Sequence, residues 1–150
     1  LKGYAASAWL ADGLLKLLNL ANPEPQTNHL IAGIAAVLGH NYTCWLQFKG
    51  GKGVATAAGV FLALAPTAVG IALALWIVAF AATRYVSIAS ILAAVALPTA
   101  VWFTQENLAL RVIAIILGVL AIYKHKANIE RLMKGTENRI QFGKKTEAAK

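Results

Sequence analysis

Two lysines and three glycines fall within five positions, Lys49-Gly50-Gly51-Lys52-Gly53, ahead of an Ala/Val-rich run that begins at Val54. Glycine lacks a Cβ, so backbone here can present successive N–H groups at close range. A helix starting near Val54 aims its unpaired N–H groups and its positive dipole end at the same spot. Such a spot holds anions, phosphate above all. It is not a nucleotide P-loop. Leu46 stands where the leading glycine belongs, and Gly53 replaces the Ser or Thr that would hold Mg²⁺ after the lysine. A flexible turn whose lysines only set topology fits this loop equally well when it is taken alone.

A second constellation runs from Lys124 to Glu137. On a helix His125 and Asn128 are i,i+3 neighbours, and Lys124, Asn128 and Arg131 share a face. Ile122, Ile129 and Met133 form a separate apolar stripe. An imidazole, an amide and two cations on one face suit a phosphorylated polyol; a basic helix lying on anionic lipid is the competing reading. Third comes Arg84-Tyr85-Val86-Ser87 at a helix start, where Ser87 is a binding hydroxyl or simply a cap or back-bonding group. His40, just before the glycine loop, is a ligand or a group that satisfies a helix end. Cys44 stands alone, so no disulfide within the chain and no cysteine metal cluster can form. With no Gly-x-Ser-x-Gly elbow and six acids in all, a Ser–His–Asp route to acyl transfer is disfavoured, so an acyl donor would have to arrive activated.

The elements that must position these groups are apolar. The 150 residues are 59% hydrophobic and 13% charged, and apolar runs of 17 to 19 residues recur. That pattern predicts an all-α polytopic membrane bundle. The net charge of +8 sits at the ends of apolar segments rather than on one soluble face, which excludes nucleic-acid binding. Six membrane segments are expected: Tyr4–Leu20, His29–Leu46, Val54–Ala65, Pro66–Ala82, Val86–Phe103 and Leu108–Tyr123. Either Pro66 kinks one long helix or the chain turns there. Of the basic residues outside the helices, a turn gathers Lys2, Lys49, Lys52, Arg84 and the eight beyond Ile122 on one side and leaves only Arg111 opposite. Only that arrangement obeys the positive-inside rule, so a turn is expected, with both ends and the glycine loop cytoplasmic. Residues 124–150 read as a cytoplasmic tail that begins as an interfacial helix and frays from Lys144.

Three blocks, in order, resemble the bacterial acyl-phosphate:glycerol-3-phosphate acyltransferase family of membrane enzymes. They are Gly39-His40 with Phe48-Lys49-Gly50-Gly51-Lys52-Gly53-Val54-Ala55-Thr56; Arg84-Tyr85-Val86-Ser87; and His125-x-x-Asn128-Ile129-x-Arg131-Leu132-x-x-Gly135-x-Glu137. Lys2-Gly3 resembles the end of a further signature. The resemblance implies transfer of an acyl group from acyl-phosphate to the 1-hydroxyl of glycerol 3-phosphate, without cofactor or metal, at the cytoplasmic face of the bacterial inner membrane. It implies catalytic roles for His125, Asn128 and Lys52. Substrate-binding roles follow for Lys49, Gly50, Gly51, Gly53, Thr56, Ser87 and His40, and a structural one for Glu137. The proton acceptor is His125 or bound phosphate. Expected partners are the two substrates and membrane lipid, with a monomeric chain. Family members resemble seven-helix proteins with an arginine-bearing loop near the N-terminus. Residues 1–150 are therefore expected to be one domain that starts part-way through a longer protein. A small anion transporter and a lipid-binding membrane subunit are the alternatives.

Overall fold

The computed structural model describes residues 2–5, 13, 25–42 and 51–141. The described elements are all helical: α1 (Lys2–Ala5), α2 (Pro25–Asn41), α3 (Val54–Leu64), α4 (Pro66–Thr83), α5 (Val86–Thr104), α6 (Leu108–Lys124) and α7 (Lys126–Met133). The α4 and α5 helices, of 18 and 19 residues, are long and apolar enough to cross a bilayer, and α6 with α7 makes a third span if that bent pair is counted as one. At 11 residues, or about 16 Å, α3 is too short to cross alone. The sixfold count expected from the sequence therefore exceeds what these helices establish. Most of the first expected segment lies outside the described residues.

The chain doubles back between α3 and α4. Proline at the first position of α4 has no N–H to donate and a φ already suited to a helix start. Ala65 before it leaves helical geometry, at φ −148° and ψ 64°. Residues equidistant from this break, Leu62 and Val69 or Ala58 and Leu73, line one cavity. The turn also decides which ends meet. Only with it do α3 to α6 make an even number of passes and bring Lys52 to the end of the bundle that holds His125 and Glu137, whose charges act on one another. The expected turn is thus present. At the opposite end Arg111 donates to the Gln105 carbonyl at 2.6 Å and lies over the Trp102 ring.

Packing is closest where side chains vanish. A Cβ on Gly3 would strike the Thr56 carbonyl, and one on Gly59 would lie 3.0 Å from the Tyr4 nitrogen, so α1 and α3 touch backbone to backbone. The core between the helices is centred on Phe61, Val101 and Leu110, all fully buried, with Val37 of α2 and Ala65 beside them. Elsewhere α4 turns Ile71, Leu75, Ile77 and Val78 outward, an apolar surface suited to lipid. Pro98 within α5 leaves the Ala94 carbonyl without its helical donor. Gly118 of α6 packs on that carbonyl, where a Cβ would sit at 2.7 Å. Backbone cannot yield as a side-chain tip can. Gly118→Ala should therefore destabilise by about 1–3 kcal/mol, read as a lower midpoint in thermal unfolding of the detergent-solubilised protein.

Candidate functional site

The second half of the glycine loop is a tight cap on α3. Gly53 is the N-cap in the left-handed region at φ 76°, a conformation that favours glycine. A Cβ there would lie 2.6 Å from Asn41 Oδ1. Asn41 is 1% exposed, and its Oδ1 has no hydrogen-bond partner among the described residues. Gly51 donates its N–H to the His40 carbonyl at 3.1 Å, and a Cβ on it would run into the His40 ring. Thus α2 backs the loop: His40 and Asn41 occupy the space that side chains at 51 and 53 would need. Thr56 is buried in the first turn of α3. Lys49 and Gly50, named from the sequence, lie outside the described residues.

Across from the loop, the α6–α7 junction is a break of 51° rather than a continuous helix. Here the sequence expectation of one helical face through Lys124, Asn128 and Arg131 needs correction. The His125 N–H turns aside to the Ile122 carbonyl at 2.9 Å. The Ala121 carbonyl, which that N–H would have met in a regular helix, instead faces His125 Nδ1 at 2.7 Å. A carbonyl can only accept, so Nδ1 carries the proton and Nε2 is left as a base. Burial holds the imidazole pKa below its usual 6.5, the Ala121 contact partly opposes this, and Lys52 adds to the lowering. His125 is 2% exposed and neutral near pH 7.

Past the break, α7 is only eight residues long and the chain folds back over it. Gly135 makes the reversal at φ 67°. Ile140 then donates to the Arg84 carbonyl at 3.0 Å, tying the tail to the α4–α5 turn. This return carries Glu137 inward, its side chain 8% exposed, to accept from Asn128 Nδ2 at 2.6 Å and Arg131 Nε at 2.7 Å. The Asn128 bond, more than the Arg131 one, holds the Glu137 carboxyl below its ordinary range. Ser87 Oγ is buried and helps lower it from nearby without closing a bond of good geometry, so Ser87 neither caps α5 nor back-bonds to it. Burial lowers the Lys52 pKa; Glu137 works against that shift and Arg131 with it.

Lys124 turns away from this group, donating to the Asn41 carbonyl at 3.3 Å with its ammonium over the Tyr42 ring. The structure therefore brings Lys52, Ser87, His125, Asn128 and Glu137 together and sets Gly51 and Gly53 of the loop beside them, with His40 of α2 behind. Asn41 was not singled out in the sequence. Its one signal there was its position directly after His40.

Since a lowered carboxylate pKa stabilises above the unfolded value, the Glu137 contribution is present above about pH 4.5 and is lost as pH falls through the lower folded value. Thermal unfolding followed from pH 7 to pH 3 should show this acid loss in the native chain and a smaller one in Glu137→Gln.

An apolar cavity of about 540 Å³ begins at Val54 and Ala55, directly after the loop, and runs between α3, α4, α5 and α6. Small residues such as Ala58, Gly59, Ala94 and Gly118 form its walls. Leu62 and Leu73, each about half exposed, stand at its rim.

Fold and site together define a class: an all-helical membrane protein with a polar cluster at the mouth of an apolar slot. Comparison supplies the family. A family model described as glycerol-3-phosphate acyltransferase matches residues 1–135, and the chain belongs to that family. It is 48% identical over 113 residues to a glycerol-3-phosphate acyltransferase of Fusobacterium nucleatum, covering 75% of this chain and 58% of that one. With the enzyme of the same name from Geobacter sulfurreducens the identity is 51% over 109 residues, with 73% and 56% covered. The chain thus spans a little over half the length of these relatives. Crystal structures of PlsY (YgiH), an integral membrane glycerol 3-phosphate acyltransferase, share the fold. The glycerol 3-phosphate form superposes with a TM-score of 0.72 at 39% identity, covering 76% of this chain and 57% of that chain. For the lysophosphatidic acid form the values are 0.76 and 34%, covering 93% and 69%. The resemblance carried by the three sequence blocks holds.

Proposed function

We propose that this chain, as part of a protein of its relatives' full length, transfers an acyl group from acyl-phosphate to the 1-hydroxyl of glycerol 3-phosphate, at the cytoplasmic face of the bacterial inner membrane. One observation carries the reading: the apolar slot starts at the first turn of the helix whose N-terminus the glycine loop caps. A ligand with an anionic head and a long apolar tail fits both features at once. The Gly53 N–H, the unpaired N–H groups of the first turn of α3, the Lys52 ammonium and the α3 dipole take the phosphate, with Lys49, Gly50, Gly51 and Thr56 completing the cradle and His40, whose carbonyl holds the Gly51 N–H, supporting it. The acyl chain lies in the slot. Ser87 and Asn128 hold glycerol 3-phosphate beside His125.

His125 Nε2 accepts the proton of the 1-hydroxyl as that oxygen bonds to the acyl carbon. The bond between acyl carbon and phosphate oxygen breaks, phosphate departs, and the proton leaves His125 with it or to water. Lysophosphatidic acid and phosphate are the products. Lys52 and the loop N–H groups stabilise the charge that develops on the acyl and phosphate oxygens. Since the anhydride brings its own leaving group, no protein nucleophile is needed. The transporter reading has less support. A phosphate path would need polar groups along the whole of α5 and α6. The buried polar residues there are Ser87 and Ser90, both in the first five residues of α5, and the rest of the inward face is apolar, with Ala94, Ala100, Val101, Leu110, Ala114 and Leu117.

The test is acyl transfer from radiolabelled acyl-phosphate in detergent, using the full-length protein. Lysophosphatidic acid is the expected product. Its absence, with phosphate uptake by proteoliposomes, would move the assignment to transport.

A further inference from the structure

Glu137 does more than tie the tail to α7. A carboxylate only accepts hydrogen bonds, so the Asn128 atom 2.6 Å from Glu137 Oε1 must be the amide nitrogen. A flipped amide would set its carbonyl against that carboxylate. Arg131 holds the second carboxylate oxygen at 2.7 Å, so Glu137 cannot rotate away without losing an ion pair. The Asn128 carbonyl is thereby fixed on the side away from Glu137. One turn earlier the Ala121 carbonyl fixes the imidazole in the same manner, with Nε2 as the acceptor. The two residues share that turn, for the Asn128 N–H donates to the His125 carbonyl at 2.8 Å. Two side chains that could each present a donor or an acceptor are both set to accept.

We propose that Glu137 is a positioning residue for substrate selection: by holding the Asn128 amide it presents Oδ1 to the 2-hydroxyl of a vicinal-diol phosphate, while His125 Nε2 receives the 1-hydroxyl. This rests on the acyl-transfer reading above and adds what the site discriminates. A fixed acceptor rejects a substrate that lacks the matching hydroxyl, because a buried carbonyl is left unpaired. A carboxamide at 137 can offer Asn128 either an N–H or a carbonyl, so the amide orientation is no longer imposed.

The experiment compares glycerol 3-phosphate with 3-hydroxypropyl phosphate, which lacks only the 2-hydroxyl, in native protein, Glu137→Gln, Asn128→Ala and the double variant, all as full-length protein. Both kcat/KM for acyl transfer and equilibrium binding of each phosphate are measured. The native protein should favour the diol by about 10- to 100-fold. Glu137→Gln should reduce that preference to within about threefold, with the KM for acyl-phosphate unchanged. In the Asn128→Ala background it should remove nothing further. Equal loss on both phosphates in Glu137→Gln would reduce Glu137 to a structural tie and overturn the proposal, as would a native enzyme that transfers to both equally. If Glu137→Gln does not fold, Asn128→Ala alone decides: retention of the full preference sinks the idea. Absence of transfer to either phosphate, with a Glu137-dependent preference still visible in binding, would overturn the acyl-transfer reading and leave this one standing.

Discussion

His125→Ala should lower kcat for acyl transfer by about 10²- to 10⁴-fold, the range for loss of a positioned base. Little should happen to the KM for acyl-phosphate, because in the proposed function the loop and the slot hold the donor and the imidazole does not. The ring is almost fully buried at the α6–α7 break, so some loss of stability will accompany the change. Size-exclusion profiles and helical circular dichroism separate that loss from the kinetic effect. A pH profile gives an independent check. The base must be unprotonated, and burial together with Lys52 lowers the His125 pKa. The acid limb of kcat/KM should therefore lie below pH 6.5. An acid limb above that pH, or an alanine variant within a fewfold of the native rate, would assign the proton to the departing phosphate instead.

Gly53→Ala should act on the other substrate. At φ 76° an alanine pays the left-handed penalty, and its Cβ meets the side chain of Asn41, which is itself buried and has nowhere to go. Together these amount to about 2–4 kcal/mol, enough to displace the loop rather than merely strain it. A displacement near 1 Å at a phosphate cradle lowers reactivity by about 10²-fold. The loss should fall on kcat/KM for acyl-phosphate, with the KM for glycerol 3-phosphate nearly unchanged. Gly51→Ala should be milder, since the group it would meet is the edge of the His40 ring on a side chain with more freedom. If both variants retained native donor kinetics, the loop would be a topology-setting turn and no more.

Local chemistry made much of this legible in the sequence. Pro66 announced the turn that Ala65 completes, because proline constrains its own φ and the residue before it. Val86 and Leu108 begin helices where they were expected to. Gly51, Lys52 and Gly53 form the turn onto α3 that their spacing predicted, and the His125–Glu137 block marks the polar cluster. What could not be read depends on contacts between distant parts of the chain. Lys124 reaches the Asn41 carbonyl across 83 positions, and no local pattern predicts that. The same holds for Asn41 behind Gly53 and for Gly3 against Thr56, where close approach of two backbones gives a glycine its meaning. Helical periodicity carried the α6 pattern smoothly through His125, so the break was invisible to it. For Ser87 the local sequence leaves a binding hydroxyl and a cap both open; its setting beside Glu137 needs the tail to return over α7.

That break has a consequence for how mutation can reach the reaction. In many enzymes an acid side chain selects the tautomer of a catalytic imidazole, and a single codon change can delete it. Here the Ala121 carbonyl does that work, and every amino acid at position 121 carries the same carbonyl. The tautomer is therefore insulated from point substitution at its partner. Its weak point is conformational: any change that straightens α6 into α7 would return the carbonyl to the His125 N–H and release the ring, with every side chain of the proposed site still in the sequence.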